Sequence, residues 1–153
     1  MGTELTAQTL TVTITEALAV DHANGSNNDI DFAQTYTHTY ASIANVSKRI
    51  IKLANTILTE VAKFGSDTQH GAFVRADVRY IRVTNLDSSD ALQVGLDDED
   101  SDAAYTSVAA DSSIIFTGTT VEGGNGGSTL DNATALKVKG AANQQLEVMI
   151  ASV

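Results

Sequence analysis

The chain has 153 residues, a formal net charge of −10, and no cysteine, proline or tryptophan. Without cysteine there are no disulfides, thiolate nucleophiles or Cys-type zinc sites, and the excess of carboxylates opposes binding to nucleic-acid phosphates. No apolar run approaches 18 residues, so no transmembrane helix is expected and no membrane partner either.

The opening Met1-Gly2-Thr3-Glu4-Leu5 lacks the basic and apolar regions of a secretory signal. Gly2 alone does not make a lipid anchor. Residues 1–8 are expected to be an N-terminal arm, and 9–153 a single domain.

From 8 to 19, Leu10, Val12 and Ile14 alternate with Thr9, Thr11, Thr13 and Thr15. Period-two alternation of β-branched residues predicts a strand with one apolar and one polar face. Asn24-Gly25-Ser26-Asn27-Asn28-Asp29 is a turn cluster. Alternation resumes over 34–40, where Tyr36, His38 and Tyr40 share one face.

Residues 47–64 read two ways. Ile50, Leu53, Ala54, Ile57, Leu58 and Val61 fit a helical stripe, with Ser47 as N-cap and Gly65 as terminator. Lys48 and Arg49 would then sit in the first turn, where the helix dipole disfavours cations. The alternative is two strands, 49–53 and 57–64, split at Asn55-Thr56. The pattern alone slightly favours the helix.

A strong strand signal covers 77–86. The turn Asp87-Ser88-Ser89-Asp90 and the run 91–96 follow, predicting a hairpin with a four-residue loop. Further strands are predicted at 104–108, 113–117, 135–139 and 145–151, with a glycine-rich loop at 123–127. That loop lacks the Gly-Lys-Ser/Thr ending of a phosphate loop. The whole predicts an all-β fold, a sandwich or a barrel, of about eight to ten short strands.

Site chemistry is sparse. The acidic run containing Asp97, Asp98, Asp100 and Asp102 is the one metal candidate, for calcium. It lacks EF-hand spacing, and its ordinary role is a solvated loop. His22, His38 and His70 show no zinc-ligand spacing. No Gly-x-Ser-x-Gly elbow or directed carboxylate pair is present. No enzyme activity and no cofactor are therefore expected. Asn45 and Asn132 head glycosylation sequons that mean little without a signal peptide. Arg75, Arg79 and Arg82 form a basic cluster suited to pairing with carboxylates on a neighbouring strand or subunit.

The stretch Val78-Arg79-Tyr80-Ile81-Arg82-Val83-Thr84-Asn85-Leu86-Asp87 resembles small virion proteins of marine and cyanobacterial tailed bacteriophages. The opening strand at 10–16, the segment Arg49-Ile50-Ile51-Lys52 with Ile57 and Phe64-Gly65, and the closing strand near Ile150-Ala151-Ser152 are similar to that group too. The acidic and glycine-rich loops depart from it. The resemblance favours two strands over one helix in 47–64 and carries over no catalytic residue. It implies a jelly-roll-like antiparallel β-sandwich and a virion structural protein assembled in the host cytoplasm, in first place a head decoration (cement) protein. Its partners would be the major capsid protein and further copies of itself, as a homotrimer. The alternatives are a tail, neck or fibre component, and a carbohydrate-binding module using Tyr36, Tyr40, Tyr80 and Tyr105. An aromatic content of 5% argues against the last.

Overall fold

The computed structural model describes residues 8–20, 30–65, 72–98, 104–117 and 133–153. Of the predicted arm at 1–8, Gln8 opens a strand, while residues 1–7, the turn cluster at 24–29, His22, His70, Asp100, Asp102, Asn132 and the 123–127 loop lie outside the described residues. The chain divides into two compact units, Met1–Ile43 and Ala44–Val153, where the sequence led us to expect one domain over 9–153.

The first unit contains a two-stranded ribbon. β1 (Gln8–Val20) pairs antiparallel with β2 (Ile30–Ile43) and, among the described residues, with no other strand. Its alternating sequence sorts the faces. Leu10, Val12 and Ile14 stand opposite Tyr40, His38 and Tyr36, while Thr11, Thr13 and Thr15 stand opposite Thr39, Thr37 and Thr35.

The second unit contains β3 (Asn45–Lys52), β4 (Thr59–Gly65), β5 (Ala72–Val74), β6 (Val78–Asn85), β7 (Leu92–Asp98), β8 (Ala104–Val108), β9 (Ser113–Thr117), β10 (Ala133–Lys139) and β11 (Gln145–Ser152). A single 3-10 turn, Arg75–Asp77, joins β5 to β6. No α-helix occurs among the described residues. The strands form two sheets, ordered β3-β11-β6-β9 and β5-β4-β10-β7-β8.

This order is that of a long hairpin rolled up. β3 pairs with β11, β4 with β10, β6 with β9 and β7 with β8, all antiparallel. Successive pairs land in opposite sheets, which is the wrapping of a jelly roll. β5 adds three residues parallel to β4, with Phe64 opposite Phe73.

The ambiguous segment 47–64 is thus β3 and β4, joined through Leu53 and a loop in which Asn55 Oδ1 accepts from Ile57 N at 2.9 Å. The helical stripe fails because its members do not share a core. Ile50 and Ile57 are each 66% exposed, whereas Leu53 is buried.

The predicted hairpin over 77–96 is corrected as well. β6 and β7 lie in different sheets, and the short loop between them turns the corner of the sandwich. Both strands carry an apolar face. Packing those faces across the interior buries both, which pairing side by side would not do.

The core fills the space between the sheets. Ile81, Val83, Leu146, Val148 and Ile150 join Leu92, Val94, Leu136, Val138 and Phe64, all buried, with Phe116 and Ile114 at the margins. Each fully buried aliphatic side chain stabilises the fold by roughly 1.5–3 kcal/mol.

Candidate functional site

The outward face of the four-stranded sheet holds an ion-pair clamp. Register places Met149 between Lys48 on β3 and Arg82 on β6, and Glu147 one pair further along β11. Lys48 Nζ approaches Glu147 Oε2 at 3.0 Å, and Arg82 Nη2 donates to Glu147 Oε1 at 2.5 Å. The hydrogen bond from Lys48, then that from Arg82, holds the Glu147 carboxyl below its ordinary range against the opposing effect of burial. Arg82 Nε is buried with no hydrogen-bond partner among the described residues. Beside Arg82, burial raises the Tyr80 phenol, and the guanidinium partly offsets this. Val46, 57% exposed, and Ile50 flank Lys48 on the same outer face of β3.

The three candidate arginines do not form one patch. Arg75 lies in the 3-10 turn. Arg79 Nη1 donates back to Ala76 O at 2.6 Å and to Val78 O at 3.3 Å, which braces that turn. Arg79 is the extra residue at a register shift of β6 against β11, between Val78 opposite Ser152 and Tyr80 opposite Ala151, whereas Arg82 pairs in regular register with Met149. Arg82 pairs with the Glu147 carboxylate on the neighbouring β11.

Of the acidic run, Asp97 lies within β7 on the outward face of the five-stranded sheet. Its carboxylate pairs with Lys137 on β10 and accepts from Tyr105 Oη on β8 at 3.1 Å. Asp97 therefore ties three strands together. The hydrogen bond to Asp97 raises the Lys137 pKa, and desolvation followed by the same carboxylate raises that of Tyr105. Asp98 ends β7, and Asp100 and Asp102 lie outside the described residues. Among the described residues no three His, Cys, Asp or Glu side chains converge as metal ligands.

One end of the jelly roll is closed by a buried amide network. Asn85 Nδ2 donates to Asp90 O at 2.7 Å and to Ala109 O at 3.1 Å. Its Oδ1 accepts from Asp87 N at 3.1 Å and from Gln144 Nε2 at 3.0 Å. Gln144 Oε1 accepts from Ala141 N at 2.7 Å, and its backbone O accepts from Leu53 N at 2.9 Å. Asp87 caps the adjacent turn, accepting from Ser89 N and Asp90 N, each at 2.9 Å. Those bonds pull its carboxyl below the ordinary range. Four connections are thereby joined. Sequence reasoning missed this network because no motif announces it. The available signal was Asn85 itself, a polar residue at the inward position after Ile81 and Val83.

The remaining surface is the ribbon. The His38 and Tyr40 rings meet in a tilted contact, centroids 4.4 Å apart, and Tyr36, 50% exposed, faces Ile14, 44% exposed, across the two strands. No protein-family model, curated protein or solved structure matches the chain.

Proposed function

We propose that the chain is a structural subunit of a bacteriophage particle, specifically a head decoration protein bound to the capsid exterior. The observation that carries this reading is the pairing of a jelly-roll unit with a separate, long β-ribbon. Jelly rolls serve as capsid domains and as lectins. The ribbon adds a contact element that a soluble sugar-binding module does not require. The stretch from Val78 to Asp87, on which the likeness to phage virion proteins rests, forms β6 and the start of the capped turn.

On this reading the protein works by burying area at repeated, symmetric positions on the lattice, against the major capsid protein. Its net charge of −10 keeps free copies soluble before assembly. Exposed Val46 and Ile50, with Lys48 between them, are the jelly-roll surface we assign to capsid contact.

The test is copy number. Quantitative mass spectrometry of purified virions, normalised to the major capsid protein, should find hundreds of copies. A dozen copies would move the chain to the tail or neck. Absence from virions would end the structural reading and favour a sugar-binding module.

A further inference from the structure

β3 is an edge strand. It pairs with β11 on one side and, among the described residues, with no strand on the other. Its register with β11 runs from Asn45 to Lys52 without a bulge. Just beyond, Leu53 N donates to Gln144 O at 2.9 Å. Bonded and non-bonded residues alternate along an antiparallel ladder. Lys52, Ile50, Lys48 and Val46 therefore aim their backbone N–H and C=O groups away from β11, toward the open edge.

The same four residues carry the outer face of the strand. Register sets Lys52 beside Gln145, Ile50 beside Glu147, Lys48 beside Met149 and Val46 beside Ala151. Val46 and Ile50 are 57% and 66% exposed, and the Lys48 side chain 59%. Lys52 is exposed as well. At every second position the edge thus reads apolar, cationic, apolar, cationic.

The charge of this face is opposite to that of the chain. Lys48, Lys52 and Arg82 stand there against Glu147, its one carboxylate among the described residues, while the whole chain carries −10. A second copy does not fit the edge. Antiparallel registers centred on Lys48, Arg49 or Ile50 set Lys48 on Lys48, Arg49 on Arg49, or Lys48 on Lys52. Like charges directly opposite each other destabilise a strand pair, and lysine on an edge guards against self-pairing. The same lysines select a strand with carboxylates at the matching positions.

We propose that the open edge of β3 takes up an extended acidic segment of a partner protein as an added strand, with carboxylates opposite Lys48 and Lys52 and aliphatic side chains opposite Val46 and Ile50. Main-chain hydrogen bonds supply the adhesion, and alternate side chains supply the selection. A polyphosphate chain offers nothing to Val46 and Ile50 and meets the repulsion of the whole chain. The inference deepens the capsid-contact reading and rests on it for the identity of the partner. The chemistry of the added strand stands on β3 alone.

Fluorescence anisotropy of the full chain with two labelled peptides tests it. One is Glu-Thr-Ile-Thr-Glu-Thr-Val, and the other has lysine in place of both glutamates. The glutamate peptide should bind at least tenfold tighter. That preference should shrink at about 1 M salt, where the screening length falls to about 3 Å. Lys48→Glu with Lys52→Glu should reverse it. Ile50→Pro removes an N–H that faces the open edge, so it should keep the fold and weaken the glutamate peptide at least tenfold. The lysine pair tests the same edge without touching its backbone. Equal affinity for the two peptides, no binding of either, or binding unchanged in the lysine pair or in folded Ile50→Pro would overturn the proposal. Abundance on virions without such binding defeats this inference alone. Binding of the glutamate peptide by a chain absent from virions defeats the virion reading alone.

Discussion

Gln144 Nε2 and Asn85 Oδ1 meet at 3.0 Å inside the closed end of the jelly roll, fully enclosed and 59 residues apart in sequence. Gln144 Nε2 also reaches Asp90 O at 3.0 Å, which Asn85 Nδ2 contacts as well. The two amides thus share a carbonyl and bind each other. Removing either leaves buried donors and acceptors that water cannot reach.

Asn85→Leu should therefore destabilise the second unit by about 2–4 kcal/mol, because each buried polar group left unpaired costs about 1–3 kcal/mol. Urea unfolding followed by circular dichroism measures this. The double-mutant cycle with Gln144→Leu should give a coupling of about 1 kcal/mol or more. Strict additivity would mean the two amides do not act together.

Gly140 is a second point of control. A Cβ there would fall on Gln144 Oε1 and press on Leu53 Cδ1 at 3.0 Å. Gly140→Ala should cost about 1–3 kcal/mol through overpacking. Shortening the obstacle with Gln144→Ala should make the added Gly140→Ala step cheaper, and thermal melts of the four proteins would reveal the difference.

Core and surface aliphatics should separate cleanly. Ile81 is fully buried between β11 and β9, so Ile81→Ala should cost about 2–5 kcal/mol. Ile50→Ala, on the exposed outer face, should stay within about 0.5 kcal/mol. Comparable losses at both positions would contradict the assignment of faces in β3 and β6.

Acid should weaken the Lys48–Glu147–Arg82 clamp. The folded-state pKa of Glu147 lies below its unfolded value, so the clamp's contribution is present above the unfolded value of about 4.3 and is lost as pH falls through the folded one. With Lys48 largely exposed, the contribution is about 0.5–1 kcal/mol. Glu147→Gln should flatten the melting-temperature profile below about pH 4.3 and reduce its dependence on salt.

The opposite sign applies at Lys137 and Tyr105. Both pKa values are raised in the folded state, so stability is present below their unfolded values and falls as pH rises through the folded ones. Asp97→Asn should remove the Lys137 part of this alkaline limb while the burial effect on Tyr105 persists, as read from melting temperatures taken from neutral pH to above about pH 10.

Much of the fold was legible because alternation survives burial. The predicted spans 104–108 and 113–117 coincide with β8 and β9, and Leu10-Val12-Ile14 marks the ribbon face. Pairing partners were not legible. A strand's alternation shows which face turns inward, but not whether its neighbour in sequence lies beside it or across the core, and β6 and β7 were misjudged for that reason. β5, at three residues, is too short to leave a period. At the candidate site, the Arg82 pairing with carboxylate followed from charge alone. The Asp97 bridge did not, because it requires the registers of β7 with β8 and with β10.

The pairing of β3 with β11 has a consequence for biosynthesis. The first and last strands of the jelly roll are neighbours, and β11 is the partner that joins β3 to β6. During translation the four-stranded sheet stays split until β11 leaves the ribosome. Folding must wait for contacts spanning most of the unit, which places it among slow, high-contact-order domains. A chain cut short before β11 would expose the flanks of β3 and β6 and the apolar interior. Such a product would be conspicuous to chaperones and proteases, so only finished chains would persist to assemble.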